Sequence, residues 1–414
     1  SVCGGVETYV GDDYSGVISL DLRNLDQVLE IDKESRAARI QAGIFGPALE
    51  DELRKSDLTL RHFPQSFEHS TLGGWIATRS GGHFATLYTH IDDFVESTTM
   101  VTPTGVIESR RLPGSGAGPS PDRMVIGSEG ILGVITEAWM RLQNRPIFRS
   151  SCSVEFDDYQ KALNATRLIS QSGLYPANCR LLDANEALFN GAGDGSKHLL
   201  ILSFESADHE LGTWLDRALE IASSAGGSYE KPQEKEPEAH RTGASGTWRN
   251  SFIRAPFNRD AAVRRGIIWD TFETSITWDH GFEFIESLKE KTRKAIHEIS
   301  GREPNVTCRL THTYPDGCAP YFSYTAYATP STMLDVWKQI KTATNEMVVA
   351  EGGTITHHHA VGRDHRVKGY DVQIPSGFKD MLTAAKSSVD PRSIMNPGVL
   401  IDSGKGKIGH WMEN

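Results

Sequence analysis

The chain is poor in cysteine. Five occur in 414 residues, at positions 3, 152, 179, 308 and 318, and none forms a C-x-x-C pair. An odd count at irregular spacing in a long chain argues against a disulfide framework and fits a reducing compartment. Positive charge is also short. Lys and Arg number 43 against 54 Asp and Glu, a net charge of −11, so no nucleic-acid partner is expected. No apolar run approaches the roughly 20 residues that span a bilayer. There is no Walker loop, no G-x-S-x-G, no H-E-x-x-H and no Cys/His zinc spacing. No internal repeat or low-complexity tract is present. No signal peptide is legible, and the start at Ser1 without Met leads us to expect a fragment or a processed form.

What is present alternates between strands and helices. "SGVISLDL" reads as a strand, and "QVLEIDKESRAARIQAG" as two short strands around a polar turn. "GPALEDELRKSDL" has helical spacing with Pro47 near its start. "IDDFVESTTMVTPTGVIESRR" predicts strand, turn and strand. After a change of composition at "NRPIFRS", strands at "HLLILSFES" and "NVTCRLTHTYPDGCAPYFSYTAYA" alternate with helices at "YQKALNATRLISQ", "FEFIESLKEKTRKAIHEISG" and "MLDVWKQIKTATNEMVVA". This pattern predicts an α+β domain with an antiparallel sheet. "GGSYEKPQEKEPEAHRTGASG" reads as a polar surface loop or exposed helix.

Two glycine- and hydroxyl-rich clusters stand out. "TLGGWIATRSGG" offers Thr71, Gly73, Gly74, Thr78 and Ser80, and "GSEGILGVIT" has glycines at 127, 130 and 133. Glycine lets backbone N–H groups approach a ligand, and hydroxyls donate to phosphate or ring oxygens. The second spacing is not G-x-G-x-x-G, which excludes a Rossmann nicotinamide site. Each cluster alone reads first as turns, but two in one region favour a cofactor. The other unusual stretch is "THHHAVG", residues 356–362. Along a strand His357 and His359 would share a face and His358 would point away, so three imidazoles would not meet on one ion, and no metal is expected. The alternatives are a solvated strand end or proton handling near pH 6.5.

The segments "PQSFEHSTLGGWIATRSGG", "IDDFV", "MVTPTGVIE" and "GSEGILGVITEAWMRL", in this order, resemble the flavin-binding domain of the vanillyl-alcohol oxidase / para-cresol methylhydroxylase superfamily. Downstream, "CRLLD", "WDTFETSITWD", "CRLTHTYPDGCAPYFSY" and "HHHAVG" resemble the alkyldihydroxyacetonephosphate synthase family. The resemblance covers nearly the whole chain. It implies an α+β fold: a two-part FAD-binding domain of the vanillyl-alcohol oxidase type, with an α+β cap domain. The expected parts are 1–145 (FAD domain, its N-terminal portion missing), 146–350 (cap) and 351–414, which returns the histidines to the flavin.

The implied cofactor is FAD without a covalent link. The implied cofactor contacts are Ser1, the remnant of a Gly-Gly-Gly-Thr-Ser loop; Pro64, Gln65, Ser66, Ser70, Thr71, Gly73, Gly74, Ala77, Thr78, Arg79 and Ser80; Ile91; and Glu129, Gly130, Gly133, Val134 and Ile135. The implied reaction exchanges the acyl group of acyl-dihydroxyacetone phosphate for a fatty alcohol, with no net redox change. Tyr321 matches the family's catalytic tyrosine, and His357, His358 and His359 match its histidine run. A phenol titrates near ~10, so Tyr321 needs activation, which imidazoles would supply. Arg259 matches an arginine for the leaving carboxylate, Arg180 another functional arginine, and Arg309 is a candidate for phosphate. The bland readings are ion pairs of Arg180 with Asp183 and of Arg259 with Asp260, and for Tyr321 an ordinary strand aromatic. Two departures stand out: His312 replaces a Gln, and "FSYTAY" is less aromatic than the family run. The rivals are an FAD-dependent 2-hydroxy-acid dehydrogenase of the glycolate or D-lactate type and a non-catalytic FAD-fold protein. A homodimer and peripheral membrane contact are further expectations. The expected location is cytoplasmic or membrane-peripheral in a bacterium and peroxisomal in a eukaryote.

Overall fold

The computed structural model describes residues 6, 16–230, 259 and 261–402. It divides into two compact units. Unit 1 takes residues 1–82, 90–145 and 358–414, and unit 2 takes 83–89 and 146–357. The chain therefore visits unit 2 briefly at 83–89, and its final crossing falls on the peptide bond between His357 and His358.

Unit 1 is built on a five-stranded antiparallel sheet of β1 (Val28–Asp32), β2 (Ala37–Gln41), β6 (Val134–Arg141), β4 (Val95–Thr102) and β5 (Gly105–Glu108), in that spatial order. Ile40 lies opposite Ala138 and Ala38 opposite Met140, and all four are buried, which is the two-residue alternation of a one-sided sheet. Helix α1 (Gly46–Arg54) has Pro47 in its first turn and buries Leu49 and Leu53. A two-residue pair, β3 (Leu58–Thr59) with β7 (Gln143–Asn144), lies apart from this sheet. Helix α2 (Leu72–Ala77) and α3 (Asp122–Val125) are short, and α9 (Ser376–Val389) belongs to the C-terminal part. Residues 16–22 of "SGVISLDL" form no strand; 16–20 are exposed, and among the described residues no strand pairs with them.

Unit 2 carries a seven-stranded antiparallel sheet. Its order is β11 (Ile267–Glu273), β14 (Gly317–Tyr327), β13 (Asn305–Thr313), β9 (Asn178–Leu182), β10 (His198–Ser206) and β8 (Phe148–Phe156), with β12 (Ile276–Thr277) also on β14. One face is apolar: Cys179, Leu181, Phe272, Cys308, Leu310 and Phe322 join one buried cluster with residues of α4 (Tyr159–Ser170), α6 (Gly212–Ser224), α7 (Gly281–Ser300) and α8 (Met333–Ala350). Helix α7 buries Phe284, Leu288, Thr292 and Ile296 on one stripe and stops at Gly301, whose φ of 70° is the left-handed cap that glycine tolerates. The α+β class and the antiparallel sheet expected from sequence are both found. Helix α5 (Ala184–Phe189), capped by Asp183, contacts the other face of the sheet through β9, β10 and β13.

The four described cysteines are buried; Cys3 lies outside the described residues. Among the described residues no helix is long and apolar enough to cross a membrane. The polar segment expected as a surface loop falls largely on residues 231–258, also outside the description.

Candidate active site

Beside the small apolar cluster of Leu182, Leu199 and Ile201, the second face of the unit 2 sheet is polar and buried. Strand pairing sets Arg309 opposite both Tyr321 and Leu182, and Tyr321 opposite Glu273. Alternation puts Arg180, two residues before Leu182, on this face as well. An irregularity adds His312. Pro320 lies inside β14 and has no N–H to give, and the register slips between Leu310 and His312. Thr311 is the extra residue, so His312 pairs with Ala319 and joins the face of Arg309 and Tyr321. Simple alternation would have sent it to the opposite side.

Arg180, Glu273, Arg309, His312 and Tyr321 are all buried. The Tyr321 hydroxyl donates to Thr271 Oγ1 at 3.1 Å, and the Arg309 guanidinium sits 3.9 Å from the ring centroid. Arg309 also pairs with Glu186 of α5, which accepts a hydrogen bond from Thr307 as well. Arg180 donates to the carbonyls of His83 (3.3 Å) and Thr311 (3.4 Å). Burial, together with repulsion from Arg309, lowers its pKa to about 9, so it remains a cation at neutral pH. Asp183 is engaged by Lys289 at 2.9 Å, by the Cys308 amide and by its own helix, rather than by Arg180. Arg259 is placed elsewhere. It lies 3.5 Å from Asp270, which is on the opposite face of β11 from Thr271 and Glu273. Asp260 lies outside the described residues.

The histidine run is irregular backbone, not a strand, and Ala360 after it has φ 68°. The expected alternation therefore does not apply. His358 and His359 are neighbours in unit 1, with ring centroids 4.7 Å apart. In unit 2, His357 meets two groups that sequence reasoning missed, Tyr314 and Glu273. Its Nε2 is 2.7 Å from the Tyr314 hydroxyl, which is 3.2 Å from Thr89 Oγ1. Its backbone N–H donates to Glu273 Oε1 at 2.8 Å, and its Nδ1 is 3.8 Å from Glu273 Oε2. Thr356 also donates to Glu273, and the His312 ring centroid is 4.9 Å from that of His357. The signal available in sequence was the acid of "FETS" and the tyrosine of "THTYPDG", both inside segments already singled out.

In unit 1 the two glycine clusters are tied together. Gly127 and Glu129 donate through their amides to Ile76 and Ala77 carbonyls, at 3.0 and 2.8 Å. Thr71 caps α2, accepting from the Gly74 amide, and Thr78 donates back to the Gly74 carbonyl. Ser70 bridges Trp75 Nε1 and Ser66. Pro64 accepts at its carbonyl from Phe67 N. Gln65 and Ser66 lie in the turn between that proline and the Phe67–His69 turn, and Gly73 presses on Ala42. Ser80 accepts from the Ile91 amide through its carbonyl, and its hydroxyl meets His62 Nε2 at 2.8 Å. Gly133 packs on Val101, and Val134 and Ile135 open β6.

Arg79 is directed to Asp92 at 2.7 Å, beside Arg123. Glu129 turns its carboxyl to the Val361 and Gly362 amides (2.8 and 2.6 Å), and Asn396 donates to its carbonyl across Gly130. These amides and hydroxyls bond within unit 1, and Glu129, the acid of the second cluster, is turned to Val361 and Gly362. Gly74 and Gly130 carry no Cβ to hold a ligand off their backbone, which suits the close approach of a diphosphate-bearing flavin. Ser1 lies outside the described residues.

Comparison with known proteins identifies the class first. The chain shares the fold of p-cresol methylhydroxylase, a solved structure 15% identical with TM-score 0.67 over 92% of this chain and 79% of that one. Residues 1–109 match the "FAD binding domain" family, and residues 145–400 match "FAD linked oxidases, C-terminal domain". The chain belongs to the FAD-linked oxidase family, and its cofactor is FAD.

Particular relatives are more specific. The chain is 27% identical to the alkyldihydroxyacetonephosphate synthase of Trypanosoma brucei brucei over 97% of its length and 68% of that protein's. It is 29% identical to that of Caenorhabditis elegans, over 93% and 68%. A solved alkyldihydroxyacetonephosphate synthase matches with TM-score 0.71 at 25% identity, over 91% of this chain and 66% of that chain. The chain thus spans about two thirds of these relatives. The glycolate oxidase subunit GlcD of Bacillus subtilis also matches, at 24% identity over 96% and 81%.

Proposed function

We propose that this protein is an alkyldihydroxyacetonephosphate synthase-like transferase that replaces the acyl group of acyl-dihydroxyacetone phosphate with a fatty alcohol. In this reading unit 1 holds the FAD, and the polar face of the unit 2 sheet serves the substrate. The observation that carries the reading is the assembly of Arg180, Arg309, Tyr321 and His312 on one buried sheet face, in a chain whose relatives at 27–29% identity bear that synthase name.

When bound, FAD supplies the reactive ring that makes exchange at a carbon–oxygen bond accessible. The chain supplies charge and protons. Arg180, a buried cation, suits the phosphate or the departing carboxylate, since a planar guanidinium holds either through two parallel hydrogen bonds. Tyr321, with the Arg309 cation 3.9 Å from its ring centroid, is the phenol suited to handle the proton. Arg259 keeps its implied carboxylate role in this reading only if it leaves Asp270.

A second reading, a flavin-linked 2-hydroxy-acid dehydrogenase, draws on the oxidase family and the match to the glycolate oxidase subunit. One experiment separates them. The full-length, FAD-loaded protein is given acyl-dihydroxyacetone phosphate and hexadecanol with oxygen and electron acceptors excluded. Sustained release of fatty acid with formation of the ether, abolished in Tyr321→Phe, is the expected result. No turnover, with bleaching of the flavin by a 2-hydroxy acid, would replace the synthase by the dehydrogenase.

A further inference from the structure

The groups around His357 form a linear series. Glu273 has a fully buried side chain, and the His357 side chain is 6% exposed. Tyr314 is half-buried and stands at the turn between β13 and β14, next to the exposed Pro315 and Asp316. The Glu273 carboxylate accepts from the His357 amide and stands on the Nδ1 side of the ring. A carboxylate there favours the tautomer with its proton on Nδ1. Nε2 is then an acceptor, so the Tyr314 hydroxyl donates to it at 2.7 Å. The phenol oxygen is left with acceptor capacity, and Thr89 Oγ1 reaches it at 3.2 Å. This is the arrangement by which a carboxylate and an imidazole activate a hydroxyl. It runs from the buried sheet face to the rim of the unit.

We propose that Glu273, His357 and Tyr314 form a proton relay, in which Tyr314 is a second proton-handling phenol besides Tyr321. The proposal rests on the synthase reading for its purpose. Exchange of an ester for an ether releases a fatty acid, which is ionised at neutral pH, so the O–H proton of the alcohol must reach solvent in every turnover. A proton arriving at the Tyr314 oxygen displaces the phenolic proton to His357 Nε2. The imidazolium so formed is balanced by Glu273. Return of that proton to the phenol releases one proton at the half-buried end and restores the starting state. No electrons are exchanged. Tyr314 and Glu273 act here as positioning and relay residues.

The test combines kinetics with nitrogen-15 NMR of His357 in the FAD-loaded, full-length protein. Tyr314→Phe removes one oxygen and keeps the ring. Its kcat for the exchange is expected to fall at least about tenfold with KM within about twofold, since positioned proton transfer contributes roughly 10²–10⁴-fold. Glu273→Gln is expected to shift the His357 proton from Nδ1 toward Nε2. Wild-type turnover with an unchanged kcat in Tyr314→Phe overturns the relay, as does a wild-type spectrum with the proton on Nε2. Absence of turnover in the wild type overturns the synthase reading instead, and the tautomer measurement still decides the hydrogen-bonded series on its own.

Discussion

Arg309 and Tyr321 face each other across neighbouring strands, with the guanidinium 3.9 Å from the ring centroid, and Glu186 holds the cation from α5. Burial alone would weaken a charged arginine; the Glu186 carboxylate and the Tyr321 ring offset it, and the balance raises the Arg309 pKa. Glu186→Ala therefore leaves a buried cation without its carboxylate. The expected cost is about 3–5 kcal/mol, read as a lower denaturant midpoint with unchanged slope.

Much of this frame was legible in the chain. The helical stripe of α7, the "PTG" turn between β4 and β5 and the "PDG" turn of β13 and β14 are local patterns, and each stands where its residues predict. The residues lining the polar sheet face were only partly legible. Arg180, Arg309 and Tyr321 were found through family resemblance. His312 needed the bulge opposite Pro320, which no periodicity reveals. Glu273 and Tyr314 act through partners 84 and 43 residues away, and pairings at that distance in sequence leave no local pattern. "SGVISLDL" failed for the converse reason: its alternation is real, but a strand also needs a neighbour.

Glu129 gives a pH prediction. Burial raises its pKa from 4.5 to about 7, against the opposing pull of the Val361 and Gly362 amides. The folded protein then binds one more proton than the unfolded chain between those values. Its contribution to stability is present below about pH 4.5 and is lost as pH rises through about 7, on the order of 3 kcal/mol. Unfolding free energies of wild type and Glu129→Gln, compared at pH 5 and 7.5, should differ by this slope. Parallel curves would show that Glu129 does not titrate there.

Lys386 ties the C-terminal segment to the second glycine cluster. Its ammonium donates to the Ile131 carbonyl (2.8 Å), the Met395 carbonyl (2.7 Å) and Asp390 (2.9 Å), and Asp390 in turn accepts from the Ile394 and Met395 amides. Lys386→Met matches the chain length but removes the cation that balances a fully buried carboxylate. We expect a loss of about 3–5 kcal/mol. FAD should be retained less well, because the 127–135 segment loses its anchor. Thermal melts of FAD-free protein with and without added FAD would show a smaller FAD-dependent rise in the variant.

Gly133 probes the same segment from the other side. A Cβ at this position would lie 2.5 Å from the Val101 carbonyl oxygen and 3.1 Å from its carbon, contacts that only backbone movement relieves. Gly133 immediately precedes β6, whose Val134 and Ile135 pair with Val101 and Met100 of β4. Gly133→Ala must therefore spread β4 from β6 or lift the glycine segment away from the sheet. Overpacking of this kind costs about 1–3 kcal/mol. Gly130→Ala provides the contrast: there the nearest atom is Asn396 Nδ2 at 3.5 Å, and the strain comes from a φ of 78° instead of a clash. If the sheet spacing is the rigid element, Gly133→Ala lowers the melting temperature more than Gly130→Ala does. Equal losses would mean that the segment, not the sheet, gives way.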